Sequence, residues 1–102
     1  MAQAIIWSNP AVDDLEQIVQ YIARDSHTYV AAVAGRILDS IDRLADFPGM
    51  GRVVPEFEED AIRELIVYPY RVIYRVGTDR IVIAAIIHGA RDLLTATRDR
   101  EM

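Results

Sequence analysis

The side chains best suited to chemistry are arginines, tyrosines and a histidine in the second half of the chain. Arginine is a planar, forked donor that suits phosphates and carboxylates, and histidine exchanges a proton near neutral pH. Such groups could hold an RNA phosphate, with His88 as acid or base and an arginine stabilising the pentacoordinate phosphate. The set comprises Arg63, Tyr68, Tyr70, Arg71, Tyr74, Arg75, His88 and Arg91.

A structural interpretation of the same residues is also open. Arg71 and Arg75 can pair with acids such as Glu64, because arginine and carboxylate form forked hydrogen bonds. Tyr74 follows the apolar positions of its strand, which favours a place in the core. His88 can form a hydrogen bond at the end of a strand. This interpretation predicts ion-paired and buried groups where the catalytic one requires accessible groups.

The motifs predict neither a metal nor a cofactor. The chain has two histidines, far apart in sequence, and no cysteine, which disfavours a zinc site and thiolate chemistry. Four acids crowd between residues 56 and 60. Without other ligands at defined spacing, they are typical of a solvated loop.

These side chains must be positioned by three short β-strands within residues 63–93. Val, Ile and Tyr dominate there, and tight turns separate the runs. Residues 71–76 alternate in polarity, so Arg71 and Arg75 are expected on one face of the sheet. Residues 81–87 are apolar throughout, which predicts a strand buried on both faces at the centre of the sheet.

Two amphipathic helices precede these strands. Asn9 is predicted to cap the first helix, which covers residues 10–24. Thr28 or Ser26 caps the second, which extends to about residue 46. Because the break between them is short, the helices are expected to form an antiparallel hairpin.

With a further strand candidate at residues 3–7, the element order is β-α-α-β-β-β, an α+β fold. The helix hairpin is expected to pack on one face of a small, curved, mostly antiparallel sheet. The other face is expected to stay partly open, with the arginines gathered on it. The polar tail, residues 94–102, is predicted to form one helical turn or a frayed end.

Length and composition predict one domain over residues 1–102, with a net charge of −5. Residues 1–62 contain four arginines and eleven acids, whereas residues 63–102 contain seven arginines and five acids. The sheet half is therefore the expected binding half, and an acidic protein segment suits it better than nucleic acid does. No long apolar run and no signal-peptide pattern is present, so a cytoplasmic location is expected.

Motifs distributed along almost the whole chain form a specific combination. They are Trp7-Ser8, Asp14-Leu15, Tyr21-Ile22-Ala23, LADFPGMGR at 44–52, Arg63-Glu64, YRVIYR at 70–75 and IHGARD at 87–92. In this order they resemble the RelE/ParE superfamily of toxins from bacterial type II toxin–antitoxin modules. The resemblance implies the same β-α-α-β-β-β fold.

The resemblance implies at least two possible activities. RelE-like members cleave messenger RNA in the ribosomal A site with basic residues on the sheet and commonly a C-terminal Tyr or His. By that resemblance, the catalytic candidates in this chain are Arg71, His88 and Arg91. The lysines that such enzymes carry before the middle strand are replaced here by residues around Arg63, and no tyrosine follows Tyr74.

ParE-like members inhibit DNA gyrase and show no evident catalytic residues. The LADFPGMGR and HGARD segments resemble these members more closely. The chain is therefore expected to be a gyrase-inhibiting toxin that arrests growth, takes part in plasmid stabilisation and needs no cofactor. A ribosome-dependent mRNA endoribonuclease and an inactive antitoxin-binding module are the alternatives.

The partner that the resemblance implies is a cognate antitoxin, with an extended or helical segment lying along the hairpin and the sheet. DNA gyrase is the expected target, the ribosome with its mRNA is the alternative, and no membrane is expected. A homodimer and a toxin–antitoxin hetero-oligomer both stay open. The candidate antitoxin- or target-binding residues are Arg52, Arg63, Tyr70, Arg71, Arg75 and Arg91.

Overall fold

The computed structural model describes residues 2–102 and has two long helices on one face of a five-stranded sheet. Within these residues, no helix combines the length and the apolar character needed to cross a membrane. The expected α+β fold is confirmed, with a short extra strand and a short C-terminal helix added. The elements are β1 (Ala4–Trp7), α1 (Asn9–Ala23), α2 (His27–Asp42) with a 3₁₀ turn (Arg43–Ala45), β2 (Arg52–Val53), β3 (Ile62–Val67), β4 (Tyr70–Val76), β5 (Arg80–His88) and α3 (Leu93–Ala96).

The helix hairpin begins one residue earlier than predicted. The Ser8 side chain accepts a hydrogen bond from the Ala11 N–H and so caps α1. Asn9 was the wrong choice of cap, because the extended backbone that a cap requires occurs at Ser8 and Asn9 is already helical. Ser26, one of the two predicted caps of α2, accepts a hydrogen bond from the Tyr29 N–H at 3.0 Å.

The strands lie in the order β1-β5-β4-β3-β2. Among the strands within residues 2–102, only β1 and β5 run parallel, so the prediction of a mostly antiparallel sheet is confirmed. β5 lies between β1 and β4, and its residues Ile81, Ile83 and Ile87 are buried. This confirms the prediction, from its unbroken apolar run, that both of its faces are covered.

The two faces of the sheet contact two separate cores. On one face, α1 and α2 bury Ala11, Ile37 and Ile41 against residues that include Val72 and Tyr74. The opposite face has a smaller core of Val54, Ile62, Ile73, Ala85, Ile87 and Leu93, with Phe57, Ala96 and Met102 packed against it. The expectation of a partly open second face was therefore wrong, because the apolar side chains between the arginines are covered by the loop after β2 and by the tail.

The tail is held against the body of the protein. The predicted helical turn is present as α3, which Asp92 caps by accepting from the Thr95 N–H. Beyond it, Arg100 donates to the Asp14 carboxylate at 2.6 and 2.7 Å. Asp14 is 7% exposed and also accepts from the Ile86 N–H at 2.9 Å. A frayed end is therefore excluded by an ion pair between α1 and the tail.

Candidate functional site at the end of the central strands

The candidate site lies where β4 begins and β5 ends. Tyr70 and His88 are directly paired across these strands, and their rings meet edge to face with centroids 5.6 Å apart. Tyr70 belongs to the core beneath the helices, so this pair lies on the helix-covered face. Burial raises the pKa of Tyr70 above its ordinary value, which favours the protonated hydroxyl.

Arg71 faces away from this pair, because successive side chains of a strand point to opposite faces. It is paired across the ladder with Ile87, a member of the core on the other face. The Arg71 side chain is 12% exposed. Of the three candidate catalytic residues, His88 and Arg91 therefore line one cleft, whereas Arg71 lines an adjoining groove that His88 also borders.

Two carboxylates occupy the guanidinium of Arg71. Its Nη1 and Nη2 atoms donate to Glu56 at 2.8 and 2.9 Å, and its Nε donates to Glu64 at 2.5 Å. Glu64 has a fully buried side chain and also accepts from Arg52 Nε at 2.8 Å. This confirms that Arg71 pairs with Glu64. The cluster contains two arginines and two glutamates, so its charges cancel.

The hydrogen bonds of this cluster shift the pKa values of its members. The hydrogen bonds that Arg71 donates to Glu56 and Glu64 raise the pKa of Arg71 above its ordinary value. The hydrogen bond from Arg71 lowers the pKa of Glu56 below its ordinary 4.5. Both groups therefore stay charged at neutral pH, and Arg71 has only its remaining N–H groups available for another anion.

Two further arginines of the predicted binding set anchor neighbouring segments. Arg75 lies about 13 Å along β4 from Arg71 at the usual strand rise. It pairs with Glu59 at 2.9 Å and also donates to the main-chain oxygen of Met102. Arg63 donates to the Gly51 carbonyl at 2.9 Å. The predicted set is thus spread over both ends of the sheet.

Tyr74 positions the loop that carries Arg52. The Tyr74 side chain is fully buried, as expected for a core residue. Its hydroxyl donates to the Pro48 carbonyl at 2.9 Å and accepts from the Gly51 N–H at 3.0 Å. Burial raises the pKa of Tyr74, so the hydroxyl keeps the proton that it donates. The LADFPGMGR motif therefore has a structural role, because two hydrogen bonds to the buried Tyr74 hydroxyl hold its loop on the sheet.

Arg91, unlike Arg52, Arg71 and Arg75, takes part in none of the five ion pairs formed within residues 2–102. It is exposed at the rim of a cleft of about 480 Å³, which we call the Arg91 cleft. The cleft is lined by Asp14, Gln17, Ile18, Tyr21, Tyr70, Ile86, His88 and Arg91. A second groove, of about 570 Å³, adjoins the same strand end and includes Arg52, Arg71 and His88.

The orientation of His88 is fixed by its own turn. Its Nδ1 atom accepts from the Ala90 N–H at 3.0 Å, which confirms the predicted hydrogen bond at the strand end. In the neutral ring, the proton is then on Nε2, which is left as a donor. His88 and Arg91 together can therefore bind an anionic group.

The sequence analysis did not predict that residues of α1 would line the Arg91 cleft. Gln17 and Tyr21 are four residues apart and so lie on the same side of the helix. Tyr21 is 68% exposed, although Ile22 next to it is buried. In the sequence, the only indication was a tyrosine one helical turn after a glutamine. This spacing does not indicate which strand lies next to that side of the helix. Within residues 2–102, no group of three or more His, Asp or Glu side chains is arranged to hold a metal ion.

Comparison with known proteins adds a consistent set of relatives. The family model for the ParE toxin of the type II toxin-antitoxin system parDE matches residues 5–93. Toxin RelE2 of Caulobacter vibrioides is 35% identical over 92 residues, which are 89% of this chain and 99% of that protein. Putative toxin Y4kP of Sinorhizobium fredii is 33% identical over 86 residues, 82% of this chain and 85% of that protein.

A further toxin and a solved structure are also similar to this chain. Toxin ParE3 of Caulobacter vibrioides is 29% identical over 90 residues, 87% of this chain and 89% of that protein. A structure of the chromosomal ParDE toxin–antitoxin system from P. aeruginosa superposes with a TM-score of 0.68. That match covers 85% of this chain and 96% of the other at 21% identity, so it concerns the fold. The relatives carry both RelE and ParE names.

Proposed function

Because the chain belongs to the ParE toxin family of type II toxin–antitoxin systems, we propose that it inhibits DNA gyrase and is neutralised by a cognate antitoxin. The choice of gyrase as the target rests on the ion pairs that Arg71 forms within the protein. A nuclease needs accessible cations around the phosphate at which the charge of the transition state develops. In this protein Arg71 is bound by Glu56 and Glu64.

An RNA phosphate at Arg71 would meet two unfavourable effects. It would have to bind the remaining N–H groups of Arg71 beside Glu56 or displace the forked hydrogen bonds of Glu56, and it would still lie near the buried carboxylate of Glu64. Two negative groups near one cation repel each other strongly where water is excluded. His88 lines a groove together with Arg71, but it is paired with Tyr70, whose side chain points to the face of the sheet opposite that of Arg71. These observations support inhibition by binding, with no cleavage step.

Exposed apolar side chains supply a surface for the antitoxin. Tyr29 on α2, Phe47 after the 3₁₀ turn and Tyr68 between β3 and β4 are all more than half exposed. Apolar groups of this size cluster at protein interfaces. An antitoxin segment that runs along the hairpin and the end of the sheet would cover several of them.

The target is tested by inducing the protein alone in a bacterial host and following DNA and protein synthesis separately by pulse labelling. We expect DNA synthesis to fall first, with an SOS response, and purified protein to block supercoiling by gyrase. An early fall in protein synthesis would instead support the ribosome-dependent nuclease. If neither synthesis changed and gyrase stayed active at high excess of the protein, the inactive antitoxin-binding module would be favoured.

One observation favours the nuclease as the second candidate: His88 and Arg91 share a cleft and Arg91 has no ion-pair partner within residues 2–102. A nuclease acting there would cut mRNA at the A site of translating ribosomes and would lose cutting in Arg91→Gln. Arg80→Gln is the matched control, because Arg80 is exposed at the other end of β5. A gyrase inhibitor would give no A-site cuts with either variant.

A further inference from the structure

We propose that the Arg91 cleft receives a segment of a protein partner in which a large apolar side chain lies next to a carboxylate. The apolar side chain would enter between α1 and the sheet, and the carboxylate would pair with Arg91 at the rim. That this partner is the antitoxin rests on the proposed function. The recognition chemistry itself rests on the cleft alone.

The lining of the Arg91 cleft is mostly apolar. Ile18 of α1, Ile86 of β5 and the rings of Tyr21 and Tyr70 contribute to it. Tyr21 is 68% exposed, so much of its ring is available to a partner. A few hundred Å³ with apolar walls and a few polar groups is the usual character of a binding cleft. Leucine or phenylalanine would bury its side chain there against an aromatic wall.

The rim of the cleft offers donors for one carboxylate. Arg91 contributes an uncompensated guanidinium, and His88 contributes Nε2–H because Ala90 occupies its Nδ1. The nearby Asp14 does not oppose an incoming anion at full strength, since Arg100 pairs with it and the Ile86 N–H donates to it. Charge-assisted hydrogen bonds of this kind are about twice as strong as neutral ones.

Arg91 is better placed for this role than the ion-paired arginines of the predicted binding set. A partner's carboxylate at Arg71 would have to displace Glu56, and one at Arg75 would have to displace Glu59. Binding at Arg91 breaks no ion pair within residues 2–102. Less of the interaction energy is lost where no native contact has to break.

The charges favour a peptide over a nucleic acid. Affinity for a nucleic acid depends on several cations along the phosphate backbone. The Arg91 cleft presents a single uncompensated arginine with Asp92 next to it, and the chain carries a net charge of −5. One cation above a mostly apolar lining matches one carboxylate beside an apolar side chain.

The test is a titration of the ¹⁵N-labelled protein with N-acetyl-Leu-Asp-amide, followed by amide chemical shifts. We expect saturable shifts confined to residues 17–21 and 86–92. N-acetyl-Leu-Asn-amide, which keeps the shape but not the charge, should bind about fivefold more weakly. Arg91→Gln should weaken the acidic peptide by a similar factor, whereas Arg80→Gln should leave it unchanged. The same spectra show whether each variant is folded.

Equal binding of the two peptides, or equal effects of the two arginine variants, would refute recognition of a carboxylate at Arg91. If no shifts occurred in these residues, the whole proposal would fail. Stronger binding of the dinucleotide UpU at the same residues would replace it with nucleic-acid recognition. A negative gyrase assay would change none of these readings, so failure of the proposed function and failure of this inference are distinguishable.

Discussion

Glu64 is the residue around which the charged face of the sheet is arranged. It is 1% exposed, and its carboxylate accepts from both Arg52 and Arg71. An anion with this burial survives only because two cations hold it. Three of the arginines that the sequence predicted as a binding surface, Arg52, Arg71 and Arg75, therefore form ion pairs within the protein.

Loss of Arg71 should consequently destabilise the fold. Arg71→Ala leaves Glu64 buried with one cation and frees Glu56, and breaking a buried pair in this way costs about 3–5 kcal/mol. Urea unfolding at pH 7 measures the effect. Arg80→Ala, at an exposed position, should change the free energy of unfolding by less than about 0.5 kcal/mol. A loss at Arg71 no larger than that of the control would contradict the buried ion pair.

Glu56 makes stability depend on pH in a defined direction. Its folded pKa lies below the ordinary 4.5 because Arg71 donates to its charged form. The unfolded chain therefore binds this proton more readily, so the stabilisation is complete above about pH 5 and is lost as the pH falls through the folded pKa. The free energy of unfolding should fall from pH 5 towards pH 3.

The Glu56→Gln variant isolates this contribution. Its free energy of unfolding should fall less steeply over the same acidic range than that of the unchanged protein, because the titrating partner of Arg71 is gone. Glu58→Gln is the matched control, since Glu58 takes part in none of the five ion pairs within residues 2–102. If both variants showed the same pH slope, Arg71 would not be the cause of the effect.

At the scale of elements, substitutions at two glycines test the packing of α2 and of the loop after the 3₁₀ turn. A Cβ at Gly51 would overlap the Glu64 carbonyl oxygen and the Tyr74 hydroxyl, whereas a Cβ at Gly35 within α2 meets nothing within 4 Å. Gly51→Ala should destabilise the protein by about 1–3 kcal/mol, the usual range for overpacking. Gly35→Ala should stabilise it by about 0.5–1 kcal/mol, because alanine favours helix.

Thermal and urea unfolding of the two glycine variants measure these opposite effects, and each variant is the control for the other. A stabilised Gly51→Ala protein would mean that the loop after the 3₁₀ turn is free to move away from Tyr74. A destabilised Gly35→Ala protein would mean that α2 is packed closely at this position.

The elements themselves were predictable wherever a periodic pattern covered many residues. The alternation around Arg71 and Arg75 located β4, and the unbroken apolar run located β5. The cap of α1 was placed one residue late, because Ser8 and Asn9 are both good caps and only the backbone distinguishes them. β2, with two residues, is too short for any pattern to be visible.

The candidate site was predictable only where its contacts are local. His88 and Ala90 are two residues apart, and their hydrogen bond could be expected from the strand end. Arg71 and Glu64 lie on neighbouring strands, so their pairing was one of two open interpretations. The position of Glu56 depends on how an irregular loop docks through Phe57 on the second core. No short-range rule gives that docking.

At the scale of the whole molecule, the contacts between distant segments decide which surfaces are free. The loop after β2 and the C-terminal tail cover one face of the sheet, and the helices cover the other. The sheet stays accessible where β4 begins and β5 ends, near Arg91, which has no ion-pair partner within residues 2–102. The position of the proposed binding cleft thus follows from what the rest of the chain covers.

Breaking the ion pair between Asp14 and Arg100 is the most direct test of how the C-terminal tail is held against α1. Hydrogen bonding to Asp14 raises the pKa of Arg100, and the same guanidinium donates to the Ala84 carbonyl at 3.2 Å. Arg100→Gln leaves Asp14 with the Ile86 N–H as its remaining donor. Because Asp14 is 7% exposed, this single change should cost about 3 kcal/mol.

A double-mutant cycle with Asp14→Asn separates the pair from its surroundings. The double variant should lose less free energy of unfolding than the sum of the single losses, because removing both charges leaves no uncompensated ion. Amide hydrogen exchange should accelerate in α3 and the tail of Arg100→Gln while α2 keeps its protection. Additive losses, or unchanged exchange in the tail, would show that the tail is held by Leu93 and the second core alone.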